Sequence, residues 1–391
     1  MISVEEALNI IDTQVVNLPA VEIIDVSKGL YRVLAETIIS PISLPSFRQS
    51  SMDGYALNIS DSLEYKLVGE SKAGDSCLVK LNPGEAVRIF TGAHVPDSAQ
   101  TIVIQENVQV NEKTITIENI PKEGSFIRKV GEEVKKGDTT LEKGFLLNEA
   151  SLGFIISLGL QKIKVYSLLK VSILITGNEL VPIGEKIGIG KIYESNSIVL
   201  QSALYKKGIK DIRIFVVKDR LKDTIQSIKE ALDVSNLVLI SGGISVGDYD
   251  FVKAALSEIG VKKLFYKVKQ RPGKPLFFGE IENKFVFALP GNPASTLNCF
   301  YVYVSPFLSK LMGDANNSLH RLKLPLKNSF FKVGGRAVFL KAFYKDYEVI
   351  ILEHQKSSKM ISFAQSNCLV YFNEGDVNLE KGDLVDVLLL R

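Results

Sequence analysis

Within ten residues, Ser241-Gly242-Gly243 is followed by Asp248 and Asp250, which brings two kinds of ligand together. Glycines let backbone N–H groups approach an anion closely, and a helix starting at Phe251 would add its positive N-terminal end. Carboxylates beside an anion suit a hard cation, and Mg²⁺ held through one or two carboxylates and a phosphate fits them. The same residues also fit a strand–turn–helix corner with aspartates capping the helix. A second candidate is 270–275, Gln-Arg-Pro-Gly-Lys-Pro. There Arg271 and Lys274 sit on a proline-stiffened loop that suits an oxyanion, with a solvated surface turn as the alternative. Other candidates stand singly. They are Glu179 in Thr176-Gly177-Asn178-Glu179, Asp219, Thr91 before Gly92, Arg336 after Gly334-Gly335, and the polar run Gln355-Lys356-Ser357-Ser358-Lys359. Asp53 in Ser51-Met52-Asp53-Gly54 reads as a turn by its own spacing. Cys77, Cys299 and Cys368 are scattered, as are His94, His320 and His354. That scatter argues against a disulfide framework, a zinc site and a histidine-activated nucleophile.

The elements that must position these residues change grammar along the chain. Ser3, with Glu6 at the capping-box position, starts a helix over 3–16, and a second helical stretch is expected over 29–37. Residues 65–118 are short β-like runs punctuated by glycine and proline, a small β-rich subdomain. After an apolar helix over 149–160, strands at 171–175, 212–217, 237–240 and 263–268 alternate with helices at 195–207, 223–232 and from 251. This alternation predicts a parallel sheet covered on both faces, and ligands then bind outside the carboxyl ends of its strands. Thr176 to Glu179, Asp219 and the loop 241–250 all fall at such ends. A further strand at 285–289 leads through Pro290-Gly291-Asn292-Pro293 into a long apolar helix over 296–311. Beyond Gly313 the pattern is β again, at 321–324, 337–342, 347–352 and 384–390. It predicts a small β-barrel or sandwich of roughly 75 residues.

With 391 residues, the chain is long enough for several domains. Its 46% hydrophobic and 23% charged residues are those of a soluble globular protein. A net charge of +3 gives bulk electrostatic support to no nucleic-acid partner. No apolar run approaches the ~18 residues of a membrane span. The acidic pair Glu5-Glu6 stands where a signal peptide carries lysines, so the expected location is the cytoplasm.

Eight phrases recur in order over nearly the whole chain: Ser51 to Ala56, Phe90 to Ala93, Gly131 to Glu133, Thr176 to Leu180, Ile192 to Asn196, the loop 241–250, Pro272 to Pro275, and Leu289 to Pro293. Together they resemble the molybdopterin molybdenumtransferase family, to which bacterial MoeA and the gephyrin E domain belong. The resemblance implies an α/β multidomain chain. It would have an elongated N-terminal α+β region over 1–166 with a β-rich insertion at about 45–130, a central parallel α/β sandwich over 167–312, and a C-terminal β-barrel over 313–391. It implies insertion of molybdate into adenylylated molybdopterin with Mg²⁺-dependent cleavage of the pyrophosphate bond, releasing AMP. Asp53, Thr91, Glu179 and Asp250 would be catalytic, with Mg²⁺ on Asp250 and Glu179. Ser241, Gly242, Gly243, Ser245, Asp219, Pro290 and Pro293 would hold the pterin substrate, and Arg271, Lys274, Arg336 and Ser358 the molybdate. The resemblance further implies a homodimer in which Asp53 and Thr91 reach the partner's central domain. The upstream adenylyltransferase is a candidate partner protein. That adenylyltransferase is also the rival enzyme, since it shares the central fold, yet it lacks the Asp53 region and the C-terminal domain. A pterin carrier or scaffold is the non-enzymatic rival, and an intact carboxylate set argues against it. The chain departs from the family pattern at Glu194, where Asp is usual, at Arg271, where Lys is usual, and in the C-terminal loop, which usually reads Gly-Gln-Gly-Ser and here reads His354-Gln355-Lys356-Ser357-Ser358.

Overall fold

The computed structural model describes residues 1–390 except 15, 76–78, 245–250, 317, 318 and 320. The chain forms two compact units. One holds Met1–Ala35, Gly144–Glu149 and Lys162–Arg391; the other holds Glu36–Lys143 and Ala150–Gln161.

A six-stranded sheet organises the first unit, in the order Asp211–Val217, Lys170–Thr176, Leu237–Ser241, Lys284–Leu289, Phe277–Ile281, Lys262–Tyr266. Val238, Ile240, Val286 and Ala288 pack under the helices Leu221–Val234 and Phe251–Ile259. Ile173, Leu239 and Phe287 pack on the other face against Leu200, Leu204, Phe300 and Phe307. With both faces covered, polar alternation vanishes, which is why Leu237 to Ile240 reads as an unbroken apolar run. The wholly parallel sheet expected from the βα alternation is corrected here. The first four strands and Lys262–Tyr266 share one direction, but Phe277–Ile281 runs antiparallel to both of its neighbours, Lys284–Leu289 and Lys262–Tyr266. The cause is a two-residue hairpin at Glu282-Asn283, whose φ values of 49° and 61° match the primed turns that join twisted strands.

Two helix expectations are also corrected. Residues 29–37 are not helical: Tyr31 has φ 61°, and Val33 and Leu34 bridge to Leu146 and Val165. Pairing across more than a hundred residues overrides the local spacing. The helix over 296–311 is interrupted by a π-helical stretch, Phe300–Val304, between Pro293–Cys299 and Ser305–Leu311. Pro306 has no N–H to donate and would crowd the carbonyl of Val302, so a wider turn accommodates it.

The C-terminal sheet runs Gln270–Arg271, Ala337–Lys345, Cys368–Phe372, Leu384–Leu389, Arg321–Pro325, with Glu348–Ile351 paired to Ala337–Lys345. An isolated bridge joins Leu326 to Val349. Ala337, Phe339, Leu369 and Leu388 belong to the same core as the central sheet and the N-terminal helix Val4–Thr13. That helix begins with the expected capping box between Ser3 and Glu6. Gln270–Arg271 lies parallel to Ala337 and Val338, so the loop of the central fold that carries Arg271 is stitched to the C-terminal sheet.

The second unit is built on a six-stranded sheet, Thr101–Ile104, Gly54–Leu57, Glu85–Ile89, Glu64–Ser71, Thr114–Ile117, Val108–Asn111. Gly54 lies where a Cβ would stand 2.0 Å from the Val103 carbonyl oxygen, so only glycine permits that approach. No helix among the described residues is long and apolar enough to cross a membrane.

Candidate functional site

The carboxyl ends of the parallel strands open onto a cavity of about 370 Å³. Glu179, Asp219, Ser241, Gly242, Gly243, Pro290 and Pro293 all line it. Strand Leu237–Ser241 is fully buried and delivers the glycines to its rim. Gly242 has φ 98°, and a Cβ there would stand 2.3 Å from the Thr176 carbonyl oxygen. The turn therefore needs glycine twice over, for its left-handed backbone and for its closeness to the neighbouring strand end. Asp219 accepts from the Thr176 hydroxyl at one oxygen and from the Asn178 N–H at the other, 3.0 Å away. Its carboxylate thus fastens the loop after Thr176. Among the described residues the Glu179 carboxylate accepts no hydrogen bond, and it folds back over Gly177, where a Cβ would stand 2.9 Å from one of its oxygens. Ser245, Asp248 and Asp250 lie outside the described residues.

A second cavity, about 470 Å³, opens beside the first and shares Pro275, Pro290 and Asn292 with it. Arg271, Lys274, Arg336 and Ser358 line it together, although they come from a central loop, the start of a C-terminal strand and the 354–359 loop. The pairing of Gln270–Arg271 with Ala337 and Val338 brings Arg271 near Arg336. Beneath the loop, the buried Gln270 amide donates to the Gly273 carbonyl at 2.9 Å and accepts from the Tyr303 hydroxyl. Burial holds the Tyr303 phenol far above its ordinary pKa, so it stays a donor. Tyr303→Phe should cost about 1–2 kcal/mol, read by urea unfolding, because it strands a buried amide oxygen. An unchanged unfolding midpoint would show that the amide finds another partner.

In the second unit, Asp53 and Thr91 meet although 38 residues separate them. One Asp53 oxygen accepts the Thr91 N–H at 2.7 Å and the Thr91 hydroxyl at 2.8 Å. These bonds, the backbone one foremost, hold the carboxyl below its usual pKa, so it is ionised at neutral pH. Asp53 is thus more than a turn residue: it anchors the Thr91 loop with one oxygen and leaves the other exposed. Beside it the Arg88 guanidinium lies over the Tyr55 and Phe90 rings and donates to the Gly54 carbonyl.

Several residues given no role in the sequence reading prove central to the geometry. Asn196 donates to the Ser241 hydroxyl at 2.8 Å and to the Gly291 carbonyl at 2.7 Å, tying two walls of the first cavity. Asn292 sits on the shared rim and donates to the Ser357 hydroxyl at 3.4 Å. Both asparagines lie inside quoted motifs, Tyr193-Glu194-Ser195-Asn196 and Pro290-Gly291-Asn292-Pro293, and an amide at a predicted strand or helix end was the available signal. Glu194 spends its carboxylate on the first turn of helix Asn196–Lys206, accepting the Ser197 N–H at 2.8 Å. Burial pushes the Cys299 and Cys368 thiols up to about 12, so neither is a nucleophile at neutral pH. Among the described residues no group of three or more acidic, His or Cys side chains is placed to hold a metal by itself.

Comparison with known proteins agrees along the chain's length. Family models match in succession: "MoeA N-terminal region (domain I and II)" over 2–159, "Probable molybdopterin binding domain" over 172–310, and "MoeA C-terminal region (domain IV)" over 323–390. A protein of Haemophilus influenzae named molybdopterin molybdenumtransferase is 37% identical over 377 residues, covering 94% of this chain and 93% of that one. A Staphylococcus epidermidis protein of the same name is 31% identical, covering 99% and 95%. Two crystal structures of molybdopterin biosynthesis moeA proteins from Pyrococcus horikoshii superpose along the whole chain. One has a TM-score of 0.84 at 27% identity and covers 100% of both chains; the other has 0.78 at 30% identity and covers 100% and 99%. The chain belongs to the molybdopterin molybdenumtransferase family, transferases of molybdenum cofactor biosynthesis.

Proposed function

We propose that this chain inserts molybdate into adenylylated molybdopterin, cleaving the pyrophosphate bond and releasing AMP and molybdenum cofactor. The observation that carries this reading is the pair of adjoining cavities. One is lined by a glycine turn at strand ends, the other by converging cations, and they share Pro275, Pro290 and Asn292. A phosphate-bearing pterin in the first and a tetrahedral dianion in the second would meet at that rim. The turn of Gly242 and Gly243 would receive the pyrophosphate, with the Gly243 N–H as its backbone donor, since the Gly242 N–H donates to the Leu289 carbonyl at 3.4 Å. Arg271, Lys274, Arg336 and Ser358 would grip the oxyanion. The reading takes the adenylate phosphorus to be attacked in line without a protein nucleophile, and the Cys299 and Cys368 thiols, pushed up to about 12 by burial, fit it by offering no thiolate.

Mg²⁺ fits this donor set, because the Glu179 carboxylate, which accepts no hydrogen bond among the described residues, together with pyrophosphate oxygens is the kind of shell it takes. Glu179 and Asp250 would hold it, and it would neutralise charge on the pyrophosphate. Asp53 and Thr91 would complete the site from the partner subunit of a homodimer. The C-terminal domain is read as a small β-barrel, which the Leu326–Val349 bridge supports, and the working compartment is the cytoplasm.

Purified protein supplied with Mg²⁺ and molybdopterin adenylate should release AMP only when molybdate is added. AMP release that ignores molybdate, or none with it present, overturns the assignment. Consumption of ATP by molybdopterin instead would favour the adenylyltransferase.

A further inference from the structure

Lys341 occupies a place where the strand pattern calls for an apolar side chain. In Ala337–Lys345 it lies on the same face as Phe339, which is part of the main core, and it is only 2% exposed. Its ammonium has no carboxylate partner among the described residues. It donates instead to the carbonyls of His354 at 3.1 Å, Lys356 at 3.3 Å and Lys359 at 3.3 Å. Burying a lysine against neutral carbonyls is costly, and its pKa is lowered accordingly. What that cost secures is the shape of the 354–359 loop. Gln355 reinforces the grip by accepting the Lys341 N–H at 2.9 Å and donating to the Lys341 carbonyl at 2.8 Å. Asn292 holds the far side of the loop through Ser357.

Lys356, whose carbonyl is one of those clasped, lines the second cavity together with Arg271, Lys274 and Arg336. Lys356 lies in the loop where the resemblance implies glycine, one of the chain's departures from that pattern. Among the described residues no carboxylate lines the cavity and none of the four cations makes an ion pair. Cations gathered without counter-charge at one solvent-facing cavity set up a positive potential that favours an anion there.

We propose that Lys356 is a fourth cation of the oxyanion pocket, and that Lys341 is the residue positioning it from inside the C-terminal sheet. The proposal rests on reading the second cavity as an oxyanion site. It goes further in assigning a direct ligand and its support to residues outside the implied set.

Calorimetric titration of molybdate into the intact protein separates the possibilities. Lys356→Ala, a change at an exposed side chain, should weaken molybdate binding roughly tenfold through loss of one charge-assisted contact. Lys341→Met should lose about as much, and the double variant should lose no more than either single one, because both changes remove the same contact. In turnover the loss should appear in the KM for molybdate and not in kcat. If Lys356→Ala binds molybdate as the wild type does, Lys356 is a solvated lysine and the proposal falls, while the oxyanion site stands. Additive losses in the double variant would sever Lys341 from Lys356. Should Lys341→Met fail to fold, the Lys356→Ala titration still decides whether the cation is a ligand. Failure of the wild type itself to bind molybdate would overturn the oxyanion site and this proposal together.

Discussion

Lys274→Ala is expected to bind molybdopterin adenylate normally yet to need roughly tenfold to a hundredfold more molybdate for half-maximal AMP release. The backbone around Lys274 is tied down before any ligand arrives. Gly273 has φ 87°, and a Cβ there would stand 2.5 Å from the Cys299 sulfur, so the loop is seated against the long helix. The Gly273 carbonyl accepts the Gln270 amide, and the Lys274 carbonyl accepts the Val268 N–H at 3.1 Å. Three residues back, Arg271 is registered against Val338. With the backbone fixed, gripping an anion costs only the ordering of the side chain, and most of the interaction appears as affinity. The pterin should be indifferent to the change, since Lys274 lines only the second cavity. A molybdate titration of AMP release checks this: an unchanged half-saturation point would mean that Lys274 is a solvated turn residue. If affinity for the adenylated pterin fell equally, the two cavities would not divide the substrates as proposed.

The parts of this molecule legible in its sequence are those governed by local rules. The unbroken apolar run before Ser241, the glycines after it and the βα alternation around it led directly to the cavity at the strand ends. The proline-flanked cations at 271 and 274 led to the second cavity. What escaped was set by pairing across long separations. Strand Val21–Asp25 lies against Lys162–Tyr166, and nothing near either segment announces the other. The reversed strand of the central sheet, Phe277–Ile281, depends on Glu282-Asn283, which carries no glycine to mark a primed turn. Asp53 looked like a turn residue because its partner, Thr91, lies on another loop. Lys341 was invisible for the opposite reason: in a sequence a lysine reads as solvated, and only the three carbonyls around it account for its burial.

Mixing two inactive variants, Asp53→Asn and Asp250→Asn, should restore activity if the proposed homodimer builds each site from both subunits. The two aspartates lie far apart in sequence, and Asp53 belongs to the unit containing Glu36–Lys143, whereas the loop 241–250 belongs to the other. Each single variant should lose nearly all turnover. Asp53→Asn replaces an ionised carboxylate kept anionic by two Thr91 hydrogen bonds, and Asp250→Asn removes a proposed Mg²⁺ ligand. In an exchanging equal mixture, half of the dimers are mixed, and each mixed dimer has one site with both aspartates intact. The mixture should therefore recover about a quarter of wild-type specific activity. If both aspartates served a site within one subunit, every site would lack one of them and nothing would be recovered. Subunit exchange must be shown alongside, for instance by energy transfer between differently labelled subunits. Exchange without recovery would sink the shared site while leaving the cavities of the first unit untouched. Recovery well above a quarter would mean that at least one variant is not inactive, which its own assay would already have revealed.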